Sequence, residues 1–510
     1  MSSPYVIGVD IGTTTCKGIL LDAHGNVKAY SEHEIRIYRP KPLWAEHNPY
    51  EWWSALKRVI GDLISLSGVD PDYIKGISVS STEEGIVPVS EDGEPLYNCM
   101  IWQDQRTIRI SEELKNKVDE RRVLEITGLP IAHYWSSSKV LWLKKYMPKV
   151  YNEAYMFLQP KDYIVYRLTG IYVTDWSIAG HTQLVDIRKL NWSKEIMEEF
   201  GIPIDKWPTI KSPFDLAGYI RKEVADELKL SPKTIVAVGS GDQESGVIGA
   251  GVTKESLAFE SAGTASVLNI CVSKPLINER INIFPHPVRG LWIIELYPSP
   301  TGEALKWLKN LMAHLETIVS EYLNLNPYEI MNIEAEKSPP GSRGLIFLPF
   351  LSGRYYPEMN PYAKGVLYGL TYDHTKGDII RALMEGTAFE LREILEFCKS
   401  ELNITINELR VSGGVSRSKI WRKIRASVTG VDIIKLRVDD ATLLGDAIIA
   451  AVASKTVKSL EEIVKTWIRI EEIDRPNPIE RNVYDKLYQV YKELYTQLKP
   501  VFISSSRLEL

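Results

Sequence analysis

The stretch VIGVDIGTTTCKGILLD, residues 6–22, decides how the rest of the chain is interpreted. It carries a carboxylate, Asp10, inside an apolar run, and a buried strand disfavours an unpaired carboxylate. One interpretation is a hairpin with a solvated aspartate, whose turn takes the glycine and the threonines. The other is a phosphate-binding loop, in which Gly12 admits a ligand to the backbone and Thr13 and Thr14 offer hydroxyl donors. In that loop Asp10 would hold Mg²⁺, which binds one or two carboxylates together with phosphate oxygens.

Length and composition restrict the class of protein. A chain of 510 residues, 44% of them apolar, is long enough for two domains with cores of their own. The net charge of −5 argues against an extended nucleic-acid surface. No apolar run approaches the roughly eighteen residues of a membrane span. Because the four cysteines are scattered without zinc-site spacing, we expect a cytoplasmic α/β protein with no nucleic-acid or membrane partner.

The order of the predicted elements is that of an α/β protein. Asn48 and Pro49 indicate the start of a helix over 48–66, because asparagine caps a helix and proline suits its first turn. The pattern TIVAVGSGDQESGVIGAG, residues 234–251, predicts a strand, a glycine loop and a helix. Further strands are predicted over 5–10, 26–38, 74–81 and the start of 409–428, and further helices over 139–147, the end of 409–428 and 441–454.

A second stretch, SLAFESAGTASVLNICV at residues 256–272, repeats the order of the first: an apolar run, a Gly-Thr pair and another apolar run. Gly-Thr pairs are common, so a chance echo is the alternative. If the echo is real, the domains are duplicated, and Gly263 and Thr264 would form a second phosphate loop facing the first. We place the boundary near residue 252, which predicts domains over 1–252 and 253–500 and a frayed tail over 501–510.

Two aspartates are candidates for chemistry. Asp242, in GSGDQESG, follows a predicted strand, and ligand sites in α/β sheets lie at the carboxyl ends of strands. It could accept a hydroxyl proton in phosphoryl transfer, or it could simply cap the following helix. Asp104, in IWQDQRT, could bind substrate hydroxyls, or it could form a structural ion pair with Arg106.

Two further pairs of residues have both a functional and a plain interpretation. Glu83 and Glu84, in SSTEEGIV, follow a predicted strand and could hold sugar hydroxyls, or they could form a solvated acidic turn. Gly413 and Gly414 would let a nucleobase or ribose approach the backbone closely, or they could mark a tight turn between strand and helix.

Taken in chain order, these segments resemble one known family over nearly the whole chain. DIGTTTCKG, WAEHNPYEWW, IWQDQRT, TGLPIAHYWSSSKVLWL, GSGDQESG, SAGTAS, the segment 344–386 and SGGVSRSKIW resemble the motifs of the FGGY carbohydrate kinases. The resemblance implies an α/β fold with two RNase H-like domains, as in the sugar kinase, Hsp70 and actin superfamily, around a deep cleft. The sugar would bind mainly to domain 1–252 and ATP with Mg²⁺ to domain 253–500. The resemblance also allows a homodimer.

The resemblance assigns a role to each candidate residue. Asp242 matches the catalytic aspartate and would deprotonate the attacking hydroxyl, and Asp10 would help to hold Mg²⁺. The residues that would contact the phosphates are Gly12, Thr13, Thr14 and Lys17 of the first loop and Gly263 and Thr264 of the second. The glycines that would border the adenosine are Gly413 and Gly414. The residues that would contact substrate hydroxyls are Glu83, Glu84, Asp104, Tyr134 and Gln243.

The signals for the substrate disagree within the family. The spacing of Trp102, Asp104 and Arg106 resembles that of xylulose kinases, but Glu83 and Glu84 stand where those enzymes usually carry Met-His. An acidic pair favours a neutral substrate over an acid such as gluconate, unless the Glu83 side chain points away. We therefore expect phosphorylation of a primary hydroxyl of a neutral sugar, with a xylulose-type pentulose first.

Two alternatives stay open. Glu84, Tyr134 and the Asp242-Gln243 pair resemble the glycerol-binding positions of glycerol kinases, although Glu83 replaces the expected arginine, so glycerol or another polyol is the second candidate. A partner-regulated ATPase switch of the actin and Hsp70 type is the alternative from a different class. Such a switch has no need of carboxylates on the sugar side.

Overall fold

A computed structural model describes residues 4–263 and 266–507, and within it the chain divides into two units. The first unit takes the chain up to Lys254 together with Cys271–Ile294 and Asp440–Arg469. The second takes Glu255–Ile270, Glu295–Asp439 and the chain from Ile470 onward. Two segments from the second half of the sequence therefore belong to the first unit. The boundary near residue 252 stays a prediction about how the sequence is organised.

The first half of the chain alternates strands and helices. Its strands are β1 (Tyr5–Ile11), β2 (Thr15–Asp22), β3 (Val27–Glu34), β4 (Glu46–His47), β5 (Ile74–Ser81), β6 (Val87–Val89), β7 (Cys99–Met100), β8 (Met156–Leu158), β9 (Val173–Asp175), β10 (Val185–Asp186), β11 (Asn191–Trp192), β12 (Thr209–Lys211), β13 (Leu216–Tyr219), β14 (Ile235–Ala237) and β15 (Ser240–Gly241). Its helices are α1 (Pro49–Ser67), α2 (Ile108–Lys115), α3 (Glu120–Thr127), α4 (Ser136–Tyr146), α5 (Pro148–Glu153), α6 (Pro160–Thr169), α7 (Trp176–Gly180), α8 (Lys194–Phe200), α9 (Lys222–Leu228) and α10 (Asp242–Gly249).

The second half has fewer strands and longer helices. Its strands are β16 (Leu257–Ala262), β17 (Ser266–Val272), β18 (Asn282–Pro285), β19 (Trp292–Leu296), β20 (Ile346–Leu348), β21 (Val366–Tyr368), β22 (Glu408–Gly413), β23 (Asp432–Leu436) and β24 (Ile470–Asp474). Its helices are α11 (Thr301–Met312), α12 (His314–Leu323), α13 (Pro327–Lys337), α14 (Lys376–Glu401), α15 (Gly414–Arg417), α16 (Lys419–Thr429), α17 (Ala441–Ala453), α18 (Leu460–Thr466) and α19 (Pro478–Ser505). Over the residues described, we find no helix with the length and apolar character needed to cross a membrane.

The main sheet of the first unit has the strand order β13-β14-β5-β1-β2-β3, with β15 also paired to β5. β1 lies at its centre, antiparallel to β2 and parallel to β5, and every residue of β1 after Tyr5 is buried. The predicted helix over 48–66 is confirmed as α1, and the Asn48 side chain accepts a hydrogen bond from the amide of Tyr50. The predicted strand over 26–38 is shorter, since β3 ends at Glu34.

Two glycines show which helices cover the two faces of this sheet. A Cβ on Gly18 would lie 2.3 Å from a Val59 carbon of α1, and a Cβ on Gly8 would lie 2.6 Å from the Leu443 oxygen of α17. Gly18 pairs with Val9, the neighbour of Gly8. Because neighbouring residues of a strand face opposite sides of a sheet, α1 and α17 cover opposite faces. The absence of side chains at these two positions lets both helices approach the strands closely.

The sheet of the second unit repeats the pairing of the first. β16 is antiparallel to β17 and parallel to β22, as β1 is to β2 and β5. β22 is parallel to β23, which is antiparallel to β24, just as β5 is parallel to β14, which is antiparallel to β13. The repeated order supports duplication as the origin of the Gly-Thr echo.

The C-terminal segment differs from the predicted frayed tail over 501–510. α19 continues to Ser505 and buries Phe502 together with the tyrosines Tyr484, Tyr488, Tyr491 and Tyr495. The four tyrosines recur every three to four residues, Phe502 follows two turns later on the same face, and all five lie with Phe389 of α14 in the core of the second unit. The expectation of fraying through Ser505 was therefore wrong, because the apolar face of α19 continues as far as Phe502.

Candidate functional site

The opening stretch forms a β-hairpin, and its carboxylate is not solvated. Asp10 lies opposite Lys17 in the β1–β2 register, and the Gly12 amide donates to the Thr15 oxygen at 2.9 Å across the turn. Asp10 is only 8% exposed, and its Oδ1 accepts a hydrogen bond of 3.2 Å from the Ser80 hydroxyl. The hairpin is therefore confirmed and the solvated aspartate is excluded, whereas phosphate binding by this segment stays a prediction.

The charge of Lys17 does not balance the carboxylates near it. Its Nζ lies 3.2 Å from Asp440, which caps α17. Burial raises the pKa of Asp10 to about 6, although the charge of Lys17 acts in the opposite direction. The hairpin therefore presents a buried carboxylate whose negative charge lacks full compensation from the protein.

A second carboxyl group, Asp446 of α17, lies behind the hairpin. It is fully buried, with its Oδ1 2.6 Å from the Ser245 hydroxyl and its Oδ2 2.7 Å from the Ser80 hydroxyl. Burial raises the pKa of Asp446 well above its usual value, which favours the protonated form of this carboxyl. A protonated Asp446 can donate to Ser80, which leaves the single Ser80 proton for Asp10. The three groups form a chain of hydrogen bonds that orients the Asp10 carboxylate.

Asp242 is the first residue of α10, but its side chain does not cap the helix. Gly241 occupies the N-cap position, and no side-chain capping bond is made there. The Asp242 carboxyl instead accepts a hydrogen bond of 3.2 Å from the Gln243 side chain and contacts the Glu83 carboxyl. Burial raises the pKa of Asp242 to about 8, and the negative charge of Asp10 adds to this. The capping alternative is excluded, and a carboxyl with a raised pKa suits proton transfer near neutral pH.

Helix α10 is held by very close packing against α17. A Cβ on Gly249 would lie 1.8 Å from the Ala441 oxygen, and a Cβ on Gly445 would lie 1.8 Å from the Ser245 oxygen. No side chain larger than hydrogen fits at either position, so the two backbones are in direct contact. This contact fixes α10, whose first residue is Asp242, relative to α17 and Asp446.

Glu83 and Glu84 form a turn after β5 that is buried rather than solvated. They are 7% and 9% exposed. The Glu83 carboxylate accepts from the backbone amide of Gln243 at 3.2 Å, which joins this turn to the start of α10. Glu84 has a φ of 57°, and its carbonyl accepts from the Ser136 hydroxyl at 3.0 Å and the Lys139 ammonium at 2.7 Å. The solvated-turn alternative was therefore wrong.

His181 was not singled out from the sequence, yet it lies among these carboxylates. Its Nδ1 is 3.1 Å from Glu84 Oε1, and its Nε2 is 3.0 Å from Glu244 Oε1. Although burial acts in the opposite direction, the neighbouring His181 holds the pKa of Glu244 below its usual value. The ring stacks on Phe284, with centroids 3.8 Å apart and planes 10° apart.

Asp104 and Tyr134 make different contacts. Asp104 is fully buried, and both its oxygens accept hydrogen bonds from Arg106, with a further bond from the Ala45 amide at 2.7 Å. Arg106 also reaches Glu46 at 2.7 Å. These contacts favour the structural ion pair, and a substrate role for Asp104 stays a prediction. Tyr134 is half-buried and packs edge-on against Trp135, with ring centroids 4.5 Å apart.

In the second unit, the predicted nucleotide glycines lie side by side. Gly413, at the end of β22, pairs with Ala262 at the end of β16, and Gly263 follows directly. Gly413 has a φ of 77°, and a Cβ there would lie 2.4 Å from the Ala262 oxygen. Gly414 begins α15. Thr264 lies outside the residues that the structure describes. The two glycine motifs thus meet at one end of the second sheet, where strand ends in α/β sheets bind ligands.

Sequence reasoning missed three buried residues: His181, Glu244 and Asp446. Asp446 is the only charged residue in the apolar segment ATLLGDAIIAAVAS, residues 441–454. A single acid in such a segment is the pattern of a carboxylate buried in a helix. Glu244 stands two residues after Asp242. His181 had no comparable signal, because its carboxylate partners come from distant parts of the chain.

Comparison with known proteins agrees with this arrangement. Residues 5–249 match the N-terminal domain, and residues 258–454 the C-terminal domain, of the FGGY family of carbohydrate kinases. A xylulose kinase of Staphylococcus epidermidis is 30% identical over 501 residues, 98% of each chain. A glycerol kinase of Thermococcus kodakarensis is 28% identical over 96% of each chain. The structure of a gluconate kinase from Lactobacillus acidophilus matches with a TM-score of 0.87 at 26% identity, covering 99% of this chain and all of the other. The chain belongs to the FGGY family of carbohydrate kinases.

Proposed function

We propose that this carbohydrate kinase transfers the γ-phosphoryl group of ATP to a primary hydroxyl of a small neutral sugar, with Asp242 as general base. A pentulose such as xylulose is the first candidate substrate, and glycerol or another polyol is the second. The observation that carries the proposal is the group of carboxylates formed by the half-buried Asp242 and the buried Glu83 and Glu84.

These carboxylates determine what the site can bind. Carboxylate oxygens accept hydrogen bonds from hydroxyl groups, and Glu83 and Glu84 both lie in a turn that contacts the start of α10. A substrate that carried its own carboxylate would add a charge of the same sign to this group. The site therefore favours ketoses and polyols over acids such as gluconate, even though a gluconate kinase is among the structural relatives.

Asp242 has the properties of a general base in this reaction. Its raised pKa, about 8, lies close to neutral pH, where a base combines a useful fraction of the ionised form with a real affinity for the proton. It would take the proton of the attacking hydroxyl as that oxygen bonds to the phosphorus atom. Gln243 donates to the Asp242 carboxyl and so limits its rotation.

The hairpin would hold the phosphates, and the geometry of its turn supports this role. A Cβ on Gly12 would lie 3.0 Å from the Thr15 oxygen, so a larger residue would crowd the turn. Thr13 and Thr14 stand at the tip of the turn, and the Trp102 indole donates to the Thr13 hydroxyl at 3.0 Å. Lys17 supplies the positive charge of this hairpin.

The donor set around Asp10 fits Mg²⁺. Its Oδ1 is held by Ser80, and its Oδ2 faces the space above Gly12, 3.4 Å from where a Cβ would lie. Mg²⁺ favours one or two carboxylate oxygens combined with phosphate oxygens and water. Bound Mg²⁺ would neutralise charge on the phosphates, and Asp10 is the residue of this chain that would hold it.

The partner-regulated ATPase switch has weaker support. A switch needs a nucleotide site, whereas Glu83 and Glu84 are ionisable groups buried next to Asp242 at considerable cost in solvation. A site for hydroxyl groups explains why these residues are there. An ATPase without a sugar substrate does not.

An ADP-release assay with Mg-ATP tests the proposal. The substrates are D-xylulose, L-xylulose, D-ribulose, glycerol, erythritol and gluconate, and the Asp242→Asn variant measures background ATP hydrolysis. We expect strong turnover with one neutral ketose or polyol, none with gluconate, and loss of turnover in the variant. Turnover with gluconate alone, or near-normal turnover in the variant, would contradict the proposal. ATP hydrolysis that none of these substrates stimulates would favour the ATPase switch.

A further inference from the structure

His181 is enclosed by carboxylates and leaves no part of its ring exposed. Its two ring nitrogens lie 3.1 Å from Glu84 and 3.0 Å from Glu244, and Nε2 lies 3.9 Å from Glu83. Neither His181 nor Glu244 has any exposed side-chain surface, whereas the Glu84 side chain keeps 11%. Glu84 is thus the member of the Glu84–His181–Glu244 row that a ligand can reach.

Hydrogen bonds at both nitrogens of His181 require a second proton in the Glu84–His181–Glu244 row. A neutral imidazole has one N–H donor and one acceptor nitrogen. Here both nitrogens face carboxylate oxygens, which accept hydrogen bonds but do not donate when ionised. Either the ring carries both protons or one carboxyl group carries the second. In both cases His181 joins two buried acidic groups that would otherwise repel each other.

The ring itself is held in one orientation. It stacks on Phe284 and lies 6.4 Å from the Trp135 ring. The helix before it, α7, is fixed at its start, because Asp175 accepts hydrogen bonds from the amides of Ser177 and Ile178. A rotation of the imidazole would therefore break its packing as well as its two polar contacts.

The backbone of Glu84 is held from the opposite side. Its carbonyl accepts from Ser136 and Lys139, and its φ of 57° lies in the left-handed region that glutamate rarely adopts. With the backbone and Oε1 both held, the remaining carboxylate oxygen, Oε2, is the one left for a substrate hydroxyl. This geometry places a hydroxyl acceptor at a defined point, which is how a site selects among polyhydroxy compounds.

We propose that His181 is a positioning residue for substrate specificity, which holds the Glu84 carboxylate in place as an acceptor for a hydroxyl of the neutral substrate. The inference rests on the proposed function. His181 acts on the substrate only through Glu84, and it has no part in the proton transfer at Asp242. Replacing His181 should therefore weaken the apparent affinity for the sugar and leave the apparent affinity for ATP unchanged.

Steady-state kinetics of His181→Ala and His181→Gln, on the full chain and with the best neutral substrate, test this role. We expect the KM for the sugar to rise by about tenfold or more in His181→Ala, the change typical of losing a hydrogen bond to a charged group. The KM for ATP should stay within about twofold, because changes in uniform binding of one substrate appear in its own KM. Glutamine keeps one donor that can reach Glu84, so His181→Gln should recover part of the loss.

A double-mutant cycle with Glu84→Gln separates positioning from a structural role. If His181 acts through Glu84, His181→Ala should change the sugar KM by less than about twofold in the Glu84→Gln background. Independent, multiplicative effects of the two substitutions would overturn the proposal, and so would an unchanged sugar KM in His181→Ala. If His181→Ala does not fold, the same cycle is run with His181→Gln and is interpreted in the same way.

His286 provides a matched control for His181. His286 is also fully buried, but its two ring nitrogens contact backbone groups, the Val252 oxygen and the Val288 amide, and not a carboxylate. His286→Gln should lower thermal stability without changing the ratio of the two KM values.

The wild type separates failure of the proposed function from failure of the role of His181. If the wild type turns over no neutral sugar, the proposed function fails. If it does turn one over but the cycle shows no coupling, only the role of His181 fails.

Discussion

Asp242 should destabilise the folded protein while serving catalysis, so its replacement by asparagine should raise stability as it abolishes turnover. The folded state raises the pKa of this carboxyl from 3.8 to about 8, chiefly through burial. The folded protein therefore keeps a proton that the unfolded chain has released throughout this range of pH. Stability should then fall as pH rises from about 4 to about 8, because the native state binds more protons than the unfolded state.

The pKa difference sets an upper limit on the effect. Each pKa unit corresponds to about 1.4 kcal/mol, so near pH 7 the limit is about 4 kcal/mol. The Asp242 side chain is only half-buried, so solvent weakens the cost of ionising it. We therefore expect Asp242→Asn to raise the free energy of unfolding by about 2 kcal/mol. For a unit of this size, that gain corresponds to a rise in Tm of roughly 3 °C. Asparagine has the same shape, so packing should be unchanged.

Thermal unfolding of the wild type and Asp242→Asn, without nucleotide and in the presence of a chelator, measures this difference. The difference in Tm should be small near pH 4 and should grow steadily toward pH 8. Asp226→Asn, at an exposed position of α9, is the control and should show no such trend. A Tm difference that is independent of pH would refute the reasoning. So would a variant that is less stable than the wild type near pH 8, because either result means that Asp242 is ionised at little cost.

Substitutions at three further positions test the surroundings of the site. Asp104→Asn should cost about 3 kcal/mol in urea unfolding, because it leaves the buried guanidinium of Arg106 with fewer counter-charges, whereas the KM for ATP should not move. Gly445→Ala should cost about 1–3 kcal/mol and lower kcat, since its methyl group would press on a backbone oxygen of α10; an unchanged kcat would mean that α10 can shift without harm. Asp446→Asn should keep kcat within about threefold, because the amide still offers a donor to Ser80, and Asp446→Leu should lower kcat by about tenfold or more. Equal kcat values for the two Asp446 variants would argue against the chain of hydrogen bonds to Asp10.

The local elements were predictable because their signals are local. The hairpin around Gly12, helix α1 with its Asn48 cap and helix α17 lie close to their predicted positions, since strand alternation, capping residues and small-residue runs are properties of a few adjacent residues. The tail was mispredicted because the burial of Phe502 depends on what α19 packs against, which adjacent residues do not reveal.

The candidate site was predictable only in part, for a similar reason. Asp10, Asp242, Glu83 and Glu84 lie within two residues of a glycine and near the end of a predicted strand, where the sequence pattern points to ligands. His181 has no such neighbours, and its importance follows from a contact across the fold.

The sequence by itself determined the family, the α/β class and the set of residues from which a phosphate loop and a base could be chosen. Each of these follows from short motifs and from their order along the chain. Only the tertiary structure decided which carboxylates are buried, which are paired and which keep their protons. Asp104 is paired with Arg106, whereas burial, together with the charge of neighbouring acids, raises the pKa of Asp242. The physical reason is that burial and electrostatic energy depend on distances through space, and these are set by strands and helices that are remote from one another in the sequence.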